Sequence, residues 1–262
     1  MASQAPNTLP LLYDGLEPLN RNAHGNFKVR KVDGIPRVAQ AHAIPLTVDE
    51  FALAQRHYPI VFSTGDNPVP LALMGLHEGT NTFFNAEGTL IDPTVYVPAY
   101  LRRYPFVLAR LREDSDELSL CFDPTAEAVG AFDDGEALFD GDEPSAATTA
   151  ILQFCEQFEQ AGQRTQAFMT ELVSSGLLMD GEVAIQPEGA EQPAIYRGFQ
   201  MIDEEKFQAL RGDERRKFNQ NGALPLIMAH LFSLSVIREI FARQVQQGTG
   251  PVIARQPATA EA

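Results

Sequence analysis

Apolar positions along this chain recur with two periods, and each change of period predicts where one element stops and the next begins. At 46–57, Thr47 and Glu50 have capping-box spacing, with Leu46 and Phe51 at the flanking staple positions. A short helix is predicted there, ending before Pro59. Compact apolar runs at 59–63, 69–75 and 82–84, separated by turn residues at 64–68 and 85–88, predict hairpin strands. A helical turn over 98–104 leads into two more strands, 106–111 and 117–122. In the second, Leu118, Leu120 and Phe122 alternate with Ser119 and Cys121, so one face is expected to be buried and Cys121 to lie on the other.

Beyond Ser145 the period becomes helical. Ile151, Phe154, Cys155, Phe158, Phe168, Met169 and Leu172 follow i, i+3, i+4 spacing, with Gly176 as terminator. Residues 182–202 predict a second hairpin around a polar loop at 187–193. Asp203 is placed to cap a helix whose first turn carries Glu204 and Glu205. A last helix is predicted to start near Pro225, apolar nearly all round to Ile237 and therefore central. The fold class is α+β, a mainly antiparallel sheet of short hairpins packed against a long amphipathic helix and a buried C-terminal helix. One domain is expected over 1–247, with an irregular arm at 1–26, a solvated acidic connection at 113–143 and a disordered tail at 248–262.

Charge then narrows the function classes. A net charge of −15 and a pI near 4.7 argue against nucleic acid as partner, since phosphate binding relies on clustered Lys and Arg, and disfavour anionic membrane surfaces too. Two cysteines, Cys121 and Cys155, make no disulfide framework and fit a reducing compartment. Residues 1–10 hold neither a basic n-region nor an apolar h-region, so a cytoplasmic location is expected. The apolar stretch 223–241 is interrupted by His230, Arg238 and Glu239, short of the roughly 18 uninterrupted residues of a membrane span. It predicts a core helix and no transmembrane segment.

No catalytic or metal-binding motif stands out. His24, His42, His57, His77 and His230 show no metal-ligand spacing, and Glu50 and His57, seven apart on one helix, would be separated by roughly 10 Å. The acidic run has no calcium-loop frame, and no nucleophile elbow, P-loop or dinucleotide fingerprint occurs, so no metal and no cofactor is predicted. Cys121 and Cys155 read as small buried hydrophobes. His230, alone in an apolar helix, reads first as a hydrogen-bonded core histidine and second as a pocket residue.

One local anomaly remains. Arg102, Arg103, Arg110 and Arg112, with Tyr100 and Tyr104, concentrate positive charge in an acidic chain. Guanidinium forks beside aromatic rings suit carboxylate or phosphate recognition, while the bland alternative pairs them with the acids that begin at Glu113. The candidate binding set is Tyr100, Arg102, Arg103, Tyr104, Arg110 and His230.

The segments AHAIPL at 41–46, YPIVFS at 58–63, PVPLALMGL at 68–76, YVPAYLRRYPF at 96–106, LCFD at 120–123, GFQMIDEEKF at 198–207 and AHLFSL at 229–234 together resemble the SapC family of bacterial proteins, over roughly residues 8–243. The family takes its name from an association with bacterial surface (S-) layers, so the resemblance implies a protein or envelope partner and brings no catalytic residues with it. Surface association would then need an unconventional export route. Two function classes follow: a non-catalytic binding or structural accessory protein, or an accessory enzyme or small-molecule binder whose pocket uses Arg102, Arg103 and His230.

Overall fold

The computed structural model describes residues 9–111, 117–186 and 192–250. Arg112, the first acids of the acidic connection, the loop residues 187–191, the start of the arm and the tail from 251 onward lie outside them.

The architecture is α+β, as the periodicity predicts. Its main sheet has five antiparallel strands in the order Leu178–Ile185, Ala194–Ile202, Ile60–Phe62, Pro70–Leu73 and Ala43–Pro45. Both predicted hairpins thus enter one sheet, joined where Gln200 pairs with Phe62. The run 82–84 is not a strand. Thr82 clasps the end of the preceding strand, its N–H (2.9 Å) and Oγ1 (3.0 Å) both donating to the Met74 carbonyl, and Phe84 makes one isolated bridge to Leu90.

A second sheet is built from the next two predicted strands, Phe106–Arg110 and Leu118–Phe122, which pair antiparallel, with Glu17–Pro18 added outside. Cys121, on the other face from Leu118 and Leu120, is buried, in keeping with its reading as a small buried hydrophobe. The arm folds back so that Tyr13 packs with Cys121 and Val107, and Tyr13 OH donates to the Phe106 carbonyl at 2.8 Å. The described part of the acidic connection, from 117 onward, keeps its exposed acids, Asp133, Asp134, Asp140 and Asp142, and carries short strands. Val129–Gly130 and Glu136–Ala137 flank the strand Lys28–Val29, and Leu138 is fully buried beneath them.

The long helix Ala146–Ser174 starts where Ser145 Oγ accepts the Thr148 N–H at 3.2 Å and ends before Gly176, whose φ of +69° favours glycine. Asp203 caps Glu204–Ala209 by accepting from Lys206 N at 3.0 Å. The C-terminal helix runs Ala223–Ser233, continues through the tight turn Leu234–Val236 and ends as Ile237–Gln246. The stretch 223–246 is long and apolar enough to cross a membrane by length and composition, yet its face of Ile227, His230 and Ser233 is packed into the core. The opposite side of this helix is open, where Phe232 is 64 % exposed. Just past this helix, the Thr249 carbonyl is held by His77 at 3.1 Å and by Gln244 at 3.2 Å.

Candidate functional site

The arginine pair is positioned by a carboxylate. Glu50 Oε2 accepts from Thr47 N and Oγ1, both at 2.9 Å, which is the capping box the sequence predicts. Its other oxygen reaches across the fold to accept from Ala99 N at 2.6 Å and from Tyr96 OH at 3.0 Å. One buried side chain therefore closes the start of one helix and fixes the first residue of the next, Ala99–Arg103. Burial, and then the neighbouring Glu50 carboxylate, push the Tyr96 phenol up to about 12, so it stays a donor.

Adjacent residues on so short a helix point in different directions, and the two arginines have different fates. Arg102 is exposed. Its guanidinium lies 5.6 Å from the Tyr96 ring centre and 5.2 Å from that of Phe154, and donates to Tyr96 OH at 3.2 Å. Arg102 has no carboxylate partner among the described residues. Arg103 is buried, its side chain 7 % exposed, sandwiched 4.5 Å from Tyr100 and 4.2 Å from Phe158. Its ion pair, 3.6 Å, is with Glu159 of the long helix and not with the acidic run. Burial lifts the Glu159 carboxyl above its ordinary value, and Arg103 opposes that lift. Arg103 Nε is buried without a hydrogen-bond acceptor, an arrangement that costs a donor about 1–3 kcal/mol.

Both arginines line a cleft of about 470 Å³. The chain after Lys28–Val29 brings Arg30 and Lys31 to the same cleft, while Ile151 and Phe154 of the long helix and Phe106 and Ala128 supply apolar surface. Arg30 is braced by donating to the Glu127 carbonyl at 3.0 Å and by lying 3.9 Å above the Phe132 ring, with Asp134 at 4.0 Å. Lys31 is exposed and makes no ion pair among the described residues. Four cations and no carboxylate therefore line this cleft in a chain of net charge −15.

The remaining predicted residues are dispersed. Tyr104 lines the cleft, but its hydroxyl donates to Asp123 Oδ2 at 3.3 Å, and burial followed by that carboxylate pushes the phenol up to about 12. Burial raises the Asp123 carboxyl, yet hydrogen bonds from Asp14 N and from Thr125 N and Oγ1 outweigh it and hold the group below its ordinary value. Tyr100 packs behind Arg103 and donates to the Leu11 carbonyl at 2.9 Å. Arg110 sits at the far end of its strand, opposite Leu118, and does not line the cleft. His230 is remote from it as well. Ile202 N donates to its Nε2 at 3.0 Å, which leaves the proton on Nδ1 to donate to the Ile60 carbonyl at 2.7 Å. This is a hydrogen-bonded core histidine.

The sequence reading missed Arg30 and Lys31. The run Lys28-Val29-Arg30-Lys31 is a second basic cluster in an acidic chain, a signal of the same kind as the arginines. Cys155 also borders the cleft, and burial pushes its thiol up to about 11, so at neutral pH it is protonated and a poor nucleophile.

The family model described as SapC matches residues 19–240, most of the chain. No curated protein and no solved structure matches it.

Proposed function

This chain belongs to the SapC family, and we propose that it is a non-catalytic binding protein that holds an anionic group of its partner in the cleft between Arg102, Arg103, Arg30 and Lys31. The observation that carries this reading is the clustering of four cations, with no carboxylate among the lining residues, in a strongly acidic molecule. In so acidic a molecule, a local excess of positive charge gives an anionic group a place to gain. Guanidinium groups braced against aromatic rings keep their N–H donors in fixed directions, which suits bidentate capture of carboxylate or phosphate. The groups around the cleft hold charge more readily than they move protons, because Cys155 is protonated and the phenol of Tyr104 is pushed up.

An envelope component bearing carboxylates or phosphates is the partner class to try first, given the surface-layer association in the family's name. Tagged protein expressed in the native host should retain that component, identified by mass spectrometry, and Arg102→Ala should reduce retention about tenfold. Arg102 is exposed, so far-UV circular dichroism should be unchanged. Equal retention by the wild-type and Arg102→Ala proteins would remove the cleft from the interaction.

A further inference from the structure

We propose that the occupant of the cleft is a small anionic amphiphile, one carboxylate or phosphate head on a short apolar body. This inference rests on the anion-binding reading above. The lining is divided in chemistry as such a molecule is. Phe106, Ala128, Ile151 and Phe154 offer apolar surface to a body, and the cations share the lining with it. A purely ionic ligand such as free phosphate would leave that apolar surface uncovered, and a purely apolar one would sit against desolvated guanidinium groups.

The cations are not equally spent. Arg103 is neutralised in part by Glu159 and Arg30 in part by Asp134, whereas Arg102 and Lys31 have no carboxylate neighbour among the described residues. Those two present open charge at an exposed position, where a head group can keep part of its hydration. Arg103 adds a second, independent sign: it is more than nine-tenths buried, lines the cleft, and its Nε has no acceptor. A concavity of about 470 Å³ falls within the usual range for small-molecule sites, about 300–1,000 Å³, and is too small for a folded partner to enter.

The test is calorimetric titration of the full-length protein with decanoate and decyl phosphate, each below its micellar concentration, alongside decanol and inorganic phosphate. Both amphiphiles should bind, with decanol and inorganic phosphate at least tenfold weaker. The tighter of the two amphiphiles, at equal chain length, identifies the head group. Arg102→Ala should weaken decanoate about tenfold through the head, and Ala150→Trp, which adds bulk to an exposed position lining the cleft, should block the body. Arg164→Ala, which removes an exposed cation paired with Asp49 away from the cleft, should change nothing. If decanol binds as tightly as decanoate, or if both cleft variants bind decanoate like the wild type, the proposal is wrong. Arg102-dependent binding of inorganic phosphate as tight as that of decanoate would overturn the amphiphile and leave the anion-binding reading standing. No binding of any anion, together with Arg102-independent retention of the host partner, would remove both.

Discussion

A histidine whose two ring nitrogens are both committed inside a core cannot take up a proton without forfeiting a bond. His230 Nε2 accepts from Ile202 N, so protonating it would oppose two donors, and burial already pulls the group down to about 4, more than the Ile60 carbonyl lifts it. The ordinary value is 6.5, so between pH 6.5 and 4 the unfolded chain holds a proton that the folded chain lacks. Stability should therefore fall as pH drops through 6.5 and cease to fall on this account below 4, a loss of order 3 kcal/mol. Asp203, held low mainly by the Lys206 N–H, adds a separate loss at lower pH. His230→Gln keeps one donor and one acceptor but does not titrate. Urea unfolding of both proteins at several pH values should show a shallower acid decline in the variant, and parallel curves would mean His230 takes no part.

Between the strands Leu178–Ile185 and Ala194–Ile202, a missing side chain is what allows an aromatic ring to pack. Gly181 pairs with Phe199, whose buried ring lies so close that a Cβ on Gly181 would meet it at 2.1 Å. Gly181→Ala should expel or tilt that ring and cost about 2 kcal/mol in urea denaturation, with the loss read at the same midpoint by fluorescence and circular dichroism. If the variant matched the wild type, the ring would have another place to go. Sequence alone could not reach this glycine, because its role depends on which residue lies across the ladder. By contrast the capping box of Thr47 and Glu50, the Asp203 cap and the long helix to Gly176 were legible, since each is written within a few residues of itself. The run 82–84 was misread because its polar bonds go to the end of the preceding strand at Met74 and not to a strand partner, and the cover over Cys121, which the arm supplies through Tyr13, could not be located from the sequence. The candidate site divides the same way. Arg102 and Arg103 stood out as a charge anomaly, whereas their meeting with Arg30 and Lys31, and the crossing of Glu50 to Ala99, exist only in the folded chain.

Contacts between the ends of the chain decide how the whole molecule unfolds. The largest apolar cluster draws on Leu12 from the arm, Phe51 and Phe62 from the first half, Phe168 and Leu172 from the long helix, and Ile227 and Ile240 from the C-terminal helices. Polar bonds tie the same regions. Ser233 Oγ accepts from Ile60 N at 2.8 Å, Gln244 Oε1 accepts from Leu76 N at 2.9 Å, and Thr165 Oγ1 accepts from Val48 N at 3.0 Å. Each of these acceptors is buried, so parting the halves would break bonds made inside the core together with the apolar contacts around them. Thermal unfolding should therefore be one transition, with far-UV and near-UV signals superimposed. Ile227→Ala, which empties a fully buried position on the C-terminal helix, should cost about 3 kcal/mol and lower both signals together, although the tyrosines that dominate the near-UV signal lie mostly in the first half. Were the near-UV signal to keep its midpoint while the far-UV signal split into two steps, the N-terminal sheet would be stable without the C-terminal helices. The bonds from Ser233 and Gln244 would then be decoration on an independent body, and the cleft, whose walls are Arg30, Arg102 and the long helix, would survive their loss.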